Sequence, residues 1–353
     1  MAWIRERPTG LVYHDGQLTE PGFALVPQAH RVALVDQAGQ TAHEWPIAQV
    51  ASARLADDGR LIALMAGDPQ TPARIANGEI EGILELAPDG EVLWEYRGDL
   101  LHHDARRLAD GRYHALGFYP LSPEQTQAVQ GGCPHRDDPK EMWSDTIELI
   151  GRDGQRESLW RAGDHLDPAT QQICPLDKRQ EWTHGNSIRI LPNGNWLLSL
   201  RLTNMIIQID HQSGKILWEW GSHTLSHQHD ARLLDNGNIL IFDNGIHRKR
   251  TPSFARVIEM DPKTEKVVWQ YTDKTILAFQ SFMAGSAQRL QNGNTFITEA
   301  ATGRLFQVTP EGETVWEWVN PVLAESQFGP TPTVYRSTWY GLSDPRLPTG
   351  LAQ

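Results

Sequence analysis

Along most of the chain, apolar and polar residues alternate in short runs broken by Gly, Asp, Asn or Pro, the pattern of half-buried β-strands joined by tight turns. No stretch keeps a helical period over a useful length. One unit recurs six times: a β-branched run, a turn, then a run ending in Trp or Tyr. Its copies are VALVDQAGQTAHEW (32–45), ILELAPDGEVLWEY (83–96), IELIGRDGQRESLW (147–160), IIQIDHQSGKILWEW (206–220), VIEMDPKTEKVVWQY (257–271) and LFQVTPEGETVWEW (305–318). Each reads as a hairpin whose aromatic covers the sheet. Between the hairpins lies a second pattern, A-R-L-x-x-N-G-N. It reads SARLADDGRLIAL, DARRLADGRYHAL, SIRILPNGNWLLSL, DARLLDNGNILIF and AQRLQNGNTFIT, in which N-G-N or D-G-R marks a turn between two further strands.

Four strands per unit and six units predict an all-β, six-bladed β-propeller with four antiparallel strands per blade, formed as one domain over residues 1–353. The stretch around GFALVPQ supplies the missing inner strands. The tail TPTVYRSTW (331–339), within a closing segment of about 320–353, seals the ring beside it. Two insertions, at about 119–143 and 162–182, interrupt the rhythm and read as rim loops or lids. Most of the 13 tryptophans stand near the ends of these hairpins, which assigns them to the seams between blades rather than to a stacking platform. Trp218 is one such seam residue by this reading.

Composition narrows the partners. A net charge of −12 opposes binding to nucleic acid or to an anionic membrane surface, while leaving room for a local basic pocket. The opening MAWIRERPTG has charges where a secretory leader needs an apolar run, and no long apolar run follows. This predicts a cytoplasmic protein, or a periplasmic one from which a leader has been removed. Cys133 and Cys174, the two cysteines, stand in irregular stretches and read as free thiols.

In a propeller, the innermost strand of each blade lines the channel, and the segments leading into those strands converge on one mouth. Aligning the copies on their turns puts His103, Asn186, His229 and Gly285 at one level, with His184 and His227 two residues ahead of Asn186 and His229. His102, His103, His184, His227 and His229 therefore gather from three blades. Imidazoles so placed either tie blades together, hold a divalent metal such as Zn or Mn through His103, His184 and His229, or act as nucleophile and general acid/base. Arg201 follows the strand pair after His184. Asp243, Asn244 and Arg248 follow the pair after His229. Arginine beside histidine favours a small anionic substrate.

WTHGNSIRILPNGNWLLSLR, IIQID..SGKILWEWG, HQHDARLLDNGNILIFDNG, the tail VYRSTW and the opening GFALV…VALVDQAGQTAHEW together resemble the bacterial arylsulfotransferase family over nearly the whole chain. The resemblance implies sulfuryl transfer between phenols by ping-pong chemistry, with neither a nucleotide donor nor a cofactor. By similarity His229, His184 and Arg248 are catalytic, and His103 joins them as a histidine able to serve in place of a later one. Arg201, Asn186, Asn244 and His227 surround an aromatic or anionic substrate. The family's covalent histidine lies in a later blade. Here no histidine follows His247, and FMAGSAQRLQNGNTFITEA offers Ser286, Gln288, Thr298 and Glu299 instead. Three functions stay open at this point: an arylsulfotransferase-like enzyme, a metal-dependent lyase or hydrolase using the histidine trio, and a non-catalytic binding or scaffold propeller. Metal content separates the first two.

Overall fold

The computed structural model describes residues 8–67, 75, 78–133, 141–248, 251–325 and 329–351. The opening heptapeptide and residues 134–140 of the first insertion lie outside the described residues. Strand β1 (Gly10–His14) precedes β2 (Gly22–Gln28), β3 (Arg31–Asp36) and β4 (Thr41–Trp45). Then come β5 (Val50–Leu55), β6 (Leu61–Ala66), β7 (Glu79–Leu86), β8 (Val92–Arg107), β9 (Tyr113–Pro120), β10 (Trp143–Ile150) and β11 (Arg156–Arg161). Two regular quartets follow: β12 (Gly185–Ile190), β13 (Trp196–Leu200), β14 (Met205–Ile209) and β15 (Ile216–Trp220), then β16 (His229–Leu233), β17 (Ile239–Asp243), β18 (Arg256–Asp261) and β19 (Lys266–Tyr271). The last strands are β20 (Ser286–Arg289), β21 (Thr295–Glu299), β22 (Arg304–Val308), β23 (Thr314–Val319) and β24 (Thr338–Gly341).

All these strands pair antiparallel, in a propeller-like arrangement of sheets. The repeated hairpins form the outer pairs, such as β14–β15 and β18–β19, and the A-R-L segments form inner strands. Among the described residues the sheets number five. The 16-residue β8 leaves one hairpin and runs on as the inner strand of the next unit, which fuses two sequence repeats into a seven-stranded sheet. The tail strand β24 pairs with β2, as Leu25↔Thr338 shows. Inner strands touch in the order β5, β8, β12, β16, β20. Gln288 of β20 bonds both the amide and the carbonyl of Trp339 in β24, and Leu55 N–H of β5 donates to the Tyr340 hydroxyl, so contact returns to the start. No helix among the described residues is long and apolar enough to cross a membrane.

The hairpin tryptophans explain why the repeat carries an aromatic. Five of these indoles donate their N–H to a carbonyl in the neighbouring hairpin turn: Trp45 to Ala87, Trp94 to Arg152, Trp160 to Gly214, Trp269 to Pro310, and Trp316 to Gln37, at 2.7–3.1 Å. Trp218 departs from this rule. It is partly exposed, and its buried Nε1 has no hydrogen-bond partner. Trp218 nevertheless packs in the seam expected for it, partly buried against a cluster that joins Leu197 and Ile206 of one sheet to Ile241 and Ile258 of the next. Trp45→Ala is accordingly expected to cost about 3–5 kcal/mol in urea unfolding, and Trp218→Ala clearly less, because a partly exposed ring leaves a smaller cavity. Equal losses would sink this account of the seams.

The two insertions pack on each other. Ser122 caps the short helix α1 (Pro123–Ala128), and its Gln125 side chain donates to the carbonyl of Gly163 in α2 (Ala162–His165) at 2.8 Å. Further along, Cys133 N–H donates to Asp177 O at 2.7 Å, and Gly131 bridges Ile173. Cys174 N–H then donates to Leu202 O at 3.1 Å, fastening the second insertion to the end of β13 beside the histidines.

Candidate functional site

His184 and His229 stand just before β12 and at the start of β16, both almost fully buried. Arg201, the residue after β13, donates its backbone N–H to His184 O at 3.0 Å, so the strand pairing itself sets arginine beside histidine. His103 crosses His184 edge-on with ring centroids 4.6 Å apart, and Tyr335 of the tail lies 6.0 Å from His103. His103, His184, His229 and Arg201 thus come together. Both His103 and His184 hold left-handed φ, 54° and 53°, uncommon for residues with a side chain and frequent at functional sites. The His103 ring fits because residue 78 is glycine: a Cβ there would lie 2.2 Å from its Nε2.

Each imidazole has a defined partner. Asn244 donates through Nδ2 to the carbonyls of Ser281 and Ala284, both at 2.7 Å, which turns its Oδ1 toward His229 Nδ1 at 2.7 Å. An oxygen can only accept, so His229 carries its proton on Nδ1 and keeps the lone pair on Nε2. His184 Nδ1 lies 2.8 Å from the Glu181 carboxylate, which orients the ring. His103 Nδ1 meets His102 Nδ1 at 3.0 Å, and His102 Nε2 lies 3.1 Å from Asp145 Oδ1. Burial, reinforced by His184 and His102, holds His103 well below the ordinary imidazole range. Burial, then Arg201, does the same for His229.

The arginines differ in availability. Arg248 is committed to Asp243 at 2.7 Å and lies over the Phe254 ring. Arg201 makes no side-chain hydrogen bond or ion pair among the described residues, and burial lowers its pKa against the pull of Asp177 and Glu181. A guanidinium left in that state is a ready partner for an anion. Asn186 donates its amide to Gln228 O at 2.7 Å, while its Oδ1 is buried without a hydrogen-bond partner. His227 is turned toward Asp177 at 2.6 Å.

Below the histidines, the A-R-L arginines Arg54, Arg106, Arg189 and Arg232 and the tail's Arg336 surround two fully buried carboxylates. Asp104 accepts from Arg54 and Arg106 at 2.7 Å and from Arg336 at 3.0 Å. Asp230 accepts from Arg189, and from Arg232 at 2.8 Å. Arg336 also donates to Asn186 O at 3.1 Å, so the VYRSTW tail joins three inner strands. At the far ends of β12 and β16, a depression of about 520 Å³ is lined by Arg189 and Arg232. Both are already paired to Asp230, and no imidazole lines it.

Residues of the late repeat are absorbed by the fold. Ser286 donates to Thr298, Gln288 holds Trp339, and Glu299 pairs with Arg304. The position equivalent to His229 is Gly285, at φ 114°, where a Cβ would lie 2.6 Å from the Phe242 ring. Among the described residues, the donors within 4.8 Å of one another that suit a metal are Cys174, Asp177, His227 and His247, not the expected trio His103, His184 and His229. Sequence reasoning missed Glu181, Arg336, Cys174, Asp177 and His247. Of these only Arg336 had a signal, the tail motif.

Two family models described as Arylsulfotransferase (ASST) match residues 15–226 and 164–321. No curated protein matches the chain. Among solved structures, a protein of unknown function from Bacteroides caccae is 17% identical, with 84% of this chain and 93% of that chain covered, at a TM-score of 0.53. A streptogramin B lyase structure is 12% identical, with 94% and 93% covered, at a TM-score of 0.50. At these identities the likeness is one of fold.

Proposed function

This chain belongs to the arylsulfotransferase (ASST) family, and we propose that it moves a sulfuryl group from an aryl sulfate to a phenolic acceptor through His229, without a nucleotide donor. The observation that carries the reading is the hydrogen-bond chain from Ser281 and Ala284 through Asn244 to His229, which leaves Nε2 with a lone pair. His229 Nε2 attacks sulfur, the sulfur–oxygen bond to the aryl group breaks, and the departing phenolate takes a proton from His184. Glu181 steadies His184 while it is an imidazolium. In the second half, His184 takes the acceptor's phenolic proton, the phenolate attacks sulfur, and the sulfur–nitrogen bond returns its electron pair to His229. Arg201 holds the sulfuryl oxygens, where charge accumulates in the transition state. This gives Arg201 the role that the resemblance assigned to Arg248, because Arg248 is engaged by Asp243.

Nitrophenyl sulfate supplies the test. With no nucleotide added, the protein should release nitrophenolate and gain the mass of one sulfuryl group, located on His229 by fragmentation, and a phenol should then discharge it. Absence of both turnover and adduct would end the proposal.

A further inference from the structure

A second cluster of donors sits beside the histidine pocket. Cys174 and Asp177 come from the second insertion, His227 from the segment before β16, and His247 from the segment after β17. His227 Nε2 lies 2.6 Å from Asp177 Oδ2, while His247 Nδ1 lies 3.8 Å from that oxygen and 3.4 Å from Cys174 Sγ. The two rings cross edge-on with centroids 4.6 Å apart. His227 is fully enclosed, and its Nε2 is the nitrogen that faces Asp177. Both histidines also hold left-handed φ, 60° and 63°, a conformation kept where the surroundings impose it.

We propose that these four residues bind one zinc ion. Bonds of about 2.0–2.3 Å in a tetrahedron set donor separations of roughly 3.3–3.8 Å. The His247 distances already fall there, and the short His227–Asp177 hydrogen bond opens when the ion replaces its proton. One thiolate, two imidazoles and one carboxylate suit zinc better than magnesium or calcium, which prefer all-oxygen shells. Four protein donors complete the shell, so the ion is structural and leaves no open position for substrate. It pins the second insertion to the segments flanking β16 and β17. Since Glu181 lies on that same insertion, the ion also steadies the carboxylate that orients His184. The site stands whether or not His229 carries a sulfuryl group.

The test uses the full chain, stripped with chelator, reloaded with zinc or cobalt alone and desalted. The wild type should retain one zinc per chain, gain melting temperature on loading, and show thiolate-to-cobalt charge-transfer absorption with cobalt. Cys174→Ser should lose that absorption and His247→Ala the stoichiometric retention, while Cys133→Ser keeps both. Circular dichroism of each metal-free variant, matched to the metal-free wild type, separates lost ligation from lost folding. Failure of the wild type to retain zinc, or retention and an unchanged cobalt spectrum in Cys174→Ser, overturns the proposal.

Discussion

His229→Ala is expected to lower aryl sulfate turnover by at least about 10³-fold and to abolish the sulfuryl adduct, with melting temperature little changed. A loss of that order follows when the group that forms the covalent bond is removed and only binding and electrostatic stabilisation remain. Arg201→Lys should lose less, because an ammonium keeps the charge but not the two-pronged fork that matches sulfuryl oxygens. The same substitution at Arg248 should leave the chemical step nearly intact, since that guanidinium is spent on Asp243 and the Phe254 ring. Single-turnover kinetics separates the cases. If Arg248→Lys slowed adduct formation more than Arg201→Lys, the two arginines would exchange roles.

Asp104→Asn is expected to destabilise the fold by about 3–5 kcal/mol in chemical unfolding, a large share of the roughly 5–15 kcal/mol of a typical domain. Asp104 is fully buried and accepts from Arg54, Arg106 and Arg336, and of these three guanidiniums Arg336 alone is also paired with Asp230. Burial alone would raise the Asp104 pKa, but Arg106, Arg336 and Arg54 hold it well below the ordinary carboxylate value. A depressed folded pKa contributes stability that is complete above the unfolded value of about 3.9 and lost as pH falls through the folded one. The gap between wild type and Asp104→Asn should therefore be widest near neutrality and narrow below about pH 4. A constant gap through the acid range would mean that shape, not charge, makes the difference.

Much of the architecture was legible in the sequence because strand alternation, turn residues and a repeated indole are local signals. Each works over a dozen residues, and repetition compounds it. The same alignment brought His103 and His229 to one level, with His184 two residues ahead of it, because residues at one register of a repeat face one axis. Trp218 shows the limit of register: it has the right position in the hairpin, yet no neighbouring carbonyl meets its indole. The fusion of two units through β8 was equally invisible, since nothing in residues 92–107 marks where one sheet ends and the next begins.

What only the tertiary structure decided are the partners. Glu181 beside His184, Asn244 behind His229, Arg336 across Asp104, and Cys174 with Asp177 against His227 and His247 are pairings between separate segments. Whether an arginine is free to meet substrate depends on such pairings: Arg201 and Arg248 look alike in sequence, and only the position of Asp243 distinguishes them. Periodicity determines which face of a strand a residue occupies, whereas protonation, tautomer and ligand set depend on distances of a few ångströms between segments that the chain order does not specify.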